Sequence, residues 1–183
     1  MDIKELKKKI SQAIPWLAAE YEFLQELKAD LVKLENDFQV GRKNETARDL
    51  KQGFRFGKYI GKSERKLNRY IEPIQASLNE LVKQLPETRI SREFYQLIEQ
   101  IRLDSALLIK RESAYKGTWL LKIFSLYQGD LQRKLVELQA SITSKNMSRA
   151  QQQIHQLMTI VKDTESWITS FIIYLKKLNS LIS

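Results

Sequence analysis

The chain has 183 residues, carries a formal net charge of +9, is 43% hydrophobic and contains no cysteine. That length and apolar content suit one folded domain with a substantial core and exclude a chain too polar to collapse. The lack of cysteine excludes a disulfide framework and any thiolate metal site.

The start, Met1-Asp2-Ile3-Lys4-Glu5, is charged and leads into no uninterrupted apolar run, so no signal peptide is expected. The longest apolar runs, around Trp119–Leu126 and Phe171–Leu175, fall far short of the roughly 20 residues that span a bilayer. The expectation is a soluble, cytoplasmic protein without a transmembrane segment.

Apolar residues recur with a period close to 3.5 along nearly the whole chain. In the first segment Ile3, Leu6, Ile10, Ala13, Leu17, Leu24, Leu27, Leu31, Leu34 and Phe38 keep that rhythm, with Glu20 or Tyr21 in the skipped place. Pro15 falls inside the pattern without shifting its phase. This predicts a kinked helix, with a break as the alternative. Gly41 and Asn44 then supply a stop and a new N-cap.

The second segment is predicted as one helix from about Glu45 to Leu85, with a seam through Leu50, Gly53, Gly57, Ile60, Leu67, Ile71, Leu78 and Leu85. Pro73 is expected to kink it and Pro86 to follow its end. A third begins after Ser91 and runs to Ile142, through Leu121, Phe124, Leu131, Leu135 and Leu138. Gly117 or Gly129 could divide it, with Asp130 as a cap for the second piece. After the turn-like Thr143-Ser144-Lys145-Asn146, Ser148 is the expected cap of a last helix. Its seam is the most regular: Ala150, Ile154, Leu157, Val161, Thr164, Ile168, Phe171, Leu175, Leu178 and Ile182. No alternating strand pattern of useful length occurs. Four long helices joined by short turns predict an all-α, up-down-up-down bundle, five-helical if the third is split, as a single domain over 1–183. An extended coiled coil that forms a homodimer is the alternative.

The charge is unevenly distributed. Residues 42–69 hold ten basic and three acidic groups, for +7, whereas residues 1–39 carry −2. Within that segment Lys51, Arg55, Lys58, Lys62, Arg65 and Arg69 recur at helical spacing, uninterrupted by any acidic residue on the same face. On a continuous helix they would form a one-sign stripe about 27 Å long, opposite the apolar seam. Mixed signs are the norm on a solvated face, because like-charge pairs one turn apart cost about 0.2–0.5 kcal/mol each. Tyr59 falls beside the stripe, where its ring could stack on a base or cover a lysine stem. The stripe is weighed between a merely solvated cationic face and a binding surface. For the latter the partner is expected to be the backbone of DNA or RNA, or else an acidic protein or an anionic lipid surface.

Gly53, Gly57 and Gly61 lie on the same predicted helix as G-x3-G-x3-G. Each interior glycine costs about 0.8–1 kcal/mol relative to alanine, so this is the poorest helix former in the chain. Close backbone approach by a neighbouring helix is the favoured explanation. A flexible stretch that orders on binding an anion is the other.

Candidate chemistry is sparse. His155 is the only histidine, and with Arg149 it makes an R-x5-H spacing similar to the R-x4–6-H signature of HEPN-type ribonucleases. That resemblance implies a helical bundle in which the Arg and His act as a catalytic pair at a dimer interface. Here Ala150 replaces the polar residue that follows the Arg in that family, and six residues turn the two side chains about 120° apart on a straight helix. A surface histidine between Ile154 and Leu157 is the simpler reading. There is no P-loop, dinucleotide fingerprint, zinc spacing or E-x-x-H pair, so no cofactor, metal or catalytic residue is assigned. Asp163 and Glu165 read as an exposed pair, and Trp16, Trp119 and Trp167 as core anchors.

Overall fold

The structure, a computed structural model, describes residues 3–39, 54–61 and 119–181, together with Pro73, Ala76, Arg92, Glu93 and Gln96 as isolated helical positions; of Gln39 and residues 119–128 it describes the backbone. Among the described residues every regular element is an α-helix: α1 (Ile3–Gln39), α2 (Phe56–Tyr59), α3 (Trp119–Thr143) and α4 (Met147–Leu181). None is long and apolar enough to cross a membrane.

The first segment forms one helix through Pro15. Proline removes the backbone donor to residue i−4 and ordinarily costs about 3 kcal/mol inside a helix. Here Pro15 is exposed, and so is Ser11, whose carbonyl it leaves open to water. The apolar face lies away from it. Leu6, Ile10, Ala13, Leu17, Leu24, Leu27, Leu31 and Leu34 are buried in the phase the sequence predicts, joined by Trp16. Ile3, at the start of that series, is exposed.

The last helix keeps its predicted seam from Ala150 to Leu178 without a miss. Its buried face is wider than a two-helix seam requires, adding Gln153, Glu165, Trp167 and Tyr174, because α4 packs against both α1 and α3. Thr164 sits in the seam at little polar cost, since its hydroxyl donates to the carbonyl of Ile160 at 2.7 Å.

The α3–α4 turn shows how the two helices are made antiparallel. Lys145 takes a left-handed conformation (φ 60°). The amide of Asn146 donates to the Ser141 carbonyl at 2.9 Å, and that of Lys145 to Ile142 at 3.1 Å. This is the Schellman pattern, which satisfies two carbonyls of the helix end. The side chain of Asn146 then accepts the Arg149 amide at 3.2 Å and caps α4. The cap is therefore Asn146, two residues before the expected Ser148.

Contacts between α1 and α4 run in opposite directions along the two chains. Gln25 and Lys28 meet Glu165, while Glu35 meets His155. Helices α1 and α3 are thus both antiparallel to α4. Gly129 lies inside α3 and does not divide it, and Asp130 pairs with Arg133 at 3.1 Å rather than capping a helix. Gly117, Gly41 and Asn44 lie outside the described residues.

Candidate anion-binding site

The basic segment enters the described structure at Phe54 and leaves it at Gly61, and there the continuous helix expected for 45–85 is absent. Phe54 is in a bend, Arg55 has φ −80° and ψ 82°, Phe56–Tyr59 make a single helical turn, and Ile60 is extended (φ −75°, ψ 129°). Gly61 follows with φ +82°.

The reason is burial. Phe54, Phe56 and Tyr59 are all in the core, at 1%, 4% and 0% exposure. Phe54 and Phe56 are two apart, which on a helix would turn them to different sides. An irregular backbone at Arg55 lets both rings point inward, at a centroid separation of 4.6 Å. Phe23 of α1 meets the Tyr59 ring edge-on at 5.4 Å, and the Phe54 ring lies 5.5 Å from it.

Three polar contacts hold this aromatic plug. The Tyr59 hydroxyl donates to the carboxylate of Asp30 in α1. The Gln132 side chain in α3 donates to the Tyr59 carbonyl at 3.0 Å and accepts the Gly61 amide at 2.8 Å. One amide group thereby satisfies a donor and an acceptor of a turn that no helix ladder serves. Burial first, then the hydrogen bond to Asp30 and the charges of Asp30 and Glu26, raise the Tyr59 phenol above its ordinary pKa of about 10. Tyr59 is thus a neutral donor to an anion at neutral pH.

These facts change the expected site. Tyr59 does not lie beside the stripe as a stacking platform; its ring is a core residue. Of the expected anion-binding residues, Arg55 and Lys58 are described and exposed, whereas Lys51, Lys62, Arg65 and Arg69 lie outside the described residues. An extended residue, Ile60, and a left-handed one, Gly61, follow Tyr59, so the helical turn that carries Lys58 does not continue past Tyr59. Lys58 also has a partner. Its ammonium is 2.8 Å from the Glu26 carboxylate of α1 and 5.4 Å from the Tyr59 ring centroid.

Two of the three glycines lie among the described residues. A Cβ built on Gly57 or Gly61 meets nothing within 4 Å among the described residues, so neither marks a close helix approach there. Gly61 is needed for its positive φ, a conformation that costs other residues about 1–2 kcal/mol. Gly53 lies outside the described residues.

The other candidates are placed as follows. His155 is 67% exposed, with its Nε2 3.2 Å from Glu35. Arg149 is exposed near the start of α4 and its backbone amide serves the cap. Glu165, expected to be exposed, is only 8% so. It accepts a hydrogen bond from Gln25 at 2.6 Å and lies 3.5 Å from the Lys28 ammonium. Trp16 and Trp167 are buried anchors as expected, and the side chain of Trp119 lies outside those described. Among the described residues no group of three acidic or histidine side chains is placed to hold a metal.

The sequence missed Glu26, Asp30 and Gln132, the residues that fix the basic segment to α1 and α3. One local signal was available: three aromatics in six residues carry more apolar surface than a solvated cationic face would hold. No protein family, curated protein or solved structure matches the chain.

Proposed function

We propose that the protein is a non-enzymatic helical interaction protein whose segment 42–69 binds an anionic polymer, the phosphate backbone of nucleic acid. The observation that carries this reading is the concentration of charge: +7 of the net +9 belongs to those residues. The exposed Arg55 supports it, being a guanidinium with no acidic partner among the described residues. Phosphate contacts by lysine and arginine fix position and affinity without reading bases, so the binding is not sequence-specific. The reading is set in a cytoplasmic, up-down-up-down bundle of four long helices, an arrangement supported by the antiparallel course of α4 against α1 and α3.

The test is fluorescence anisotropy with labelled duplex DNA and single-stranded RNA at about 50 mM salt, repeated at rising salt. Each phosphate neutralised on duplex DNA adds about −0.9 to the slope of log affinity against log salt, so six contacts would give about −5. Arg55→Glu combined with Lys62→Glu should weaken binding of both polymers. No binding at low salt, or binding indifferent to that double charge reversal, refutes the reading. Binding to anionic vesicles alone would assign the surface to lipid instead.

A further inference from the structure

Lys58 and Arg55 are three residues apart and both exposed, yet their electrostatic situations differ. Arg55 has no carboxylate at hand among the described residues. Lys58 touches Glu26 at 2.8 Å, with 44% of its side chain and 59% of that of Glu26 exposed. The pairing is enforced by the fold. Tyr59, the next residue, is sunk in the core and hydrogen-bonded to Asp30, which stands one helical turn beyond Glu26 on α1. Gln132 grips the same backbone from α3. The Lys58 backbone therefore cannot retreat from α1 while the plug is seated, and only its side-chain torsions can part the two charges. Glu22, exposed one turn before Glu26, adds further negative charge on the same side of α1.

We infer that Glu26 is an intramolecular competitor for the anionic partner at Lys58, so that the two described cations contribute unequally. This rests on the proposed binding of nucleic acid by segment 42–69. A phosphate reaching Arg55 displaces only counterions and water. A phosphate reaching Lys58 must replace a carboxylate that the fold keeps at contact distance, and must approach α1 carboxylates that repel it. An exposed ion pair is weak enough to be exchanged and strong enough to be felt, equivalent to about 1.4–5-fold in an equilibrium constant. The acidic face of α1 thus tempers the affinity of the basic segment instead of abolishing it.

The experiment is a double-substitution cycle on the full chain, read by anisotropy with a labelled DNA duplex of about 20 base pairs at about 50 mM salt. Glu26→Gln should tighten binding about 2–5-fold and steepen the salt slope by up to about 0.9, as Lys58 becomes a full phosphate contact. On a Lys58→Gln background the same substitution should have little effect. Arg55→Gln should weaken binding more than Lys58→Gln. The inference fails if the wild type binds and Glu26→Gln leaves its affinity unchanged. It fails equally if the gain persists in full without Lys58, since overall charge would then explain it. No binding by the wild type and the Glu26→Gln variant alike would instead refute the underlying function, and the inference with it.

Discussion

Replacing Tyr59 by phenylalanine removes one oxygen from the point where the basic segment is fastened to α1. The ring itself is retained, with its contacts to Phe23 at 5.4 Å and Phe54 at 5.5 Å, so no cavity larger than the hydroxyl is opened. What is lost is a hydrogen bond donated to a carboxylate, a class worth about 1.5–3 kcal/mol. Asp30 is half-buried and regains water in the variant, which offsets part of that loss. The expected cost is about 1–2 kcal/mol, seen in urea denaturation or as a fall in Tm of about 2–4 °C per kcal/mol for a chain of this length. Asp30→Asn keeps a neutral amide oxygen as acceptor and should cost less, and the two losses should not add, because both act on the same bond.

The pH dependence of this substitution has a definite sign. The folded phenol holds its proton above the ordinary tyrosine pKa, so its contribution is fully present below about pH 10 and is lost as pH rises further. The stability gap between wild type and Tyr59→Phe should therefore narrow above pH 10, by at most about 1.4 kcal/mol per pH unit. Tyr174, buried and also raised, is common to both proteins and cancels in the comparison. A Tyr59→Phe variant as stable as wild type, or full additivity with Asp30→Asn, would refute the reasoning.

Two glycines four residues apart should respond with opposite signs. Gly57→Ala, in a helical turn with open space at its Cβ, should stabilise by about 0.4–1 kcal/mol. Gly61→Ala should destabilise by about 1–2 kcal/mol because of its φ of +82°. Thermal denaturation reads both, and a destabilised Gly57→Ala would reinstate close packing at that position. Gln132→Ala should cost about 1–2 kcal/mol and leave the Gly61 amide unprotected in hydrogen exchange, with the α3–α4 hairpin amides unaffected. Retained protection at Gly61 would show that the turn holds without its clamp.

The long helices were legible because their information is local. In α4 every buried seam position from Ala150 to Leu178 follows a 4-3 spacing that can be read off the chain, and in α1 the same rhythm outweighs Pro15. The segment 54–61 defeated that reading because its spacing admits two interpretations. Cations at positions 51, 55, 58 and 62 fit a helix, whereas aromatics at 54, 56 and 59 fit a plug, and only the second buries enough apolar surface to decide. Glu165 misled for a related reason: a carboxylate reads as exposed until Gln25 and Lys28, 140 and 137 positions away, are brought beside it.

By itself the sequence determined the helical class, the buried faces of α1 and α4, and the confinement of +7 to residues 42–69. Tertiary structure alone decided how the described part of that charge, Arg55 and Lys58, is presented. It sinks Tyr59 against Asp30, hands Lys58 to Glu26, leaves Arg55 open and turns the chain at Gly61 under the grip of Gln132. The physical reason is one of range. Amphipathic periodicity specifies which side of a helix is buried, from residues three and four apart. The contacts that break and anchor the basic segment join residues 29 and 71 positions apart, whose pairing depends on how the helices pack.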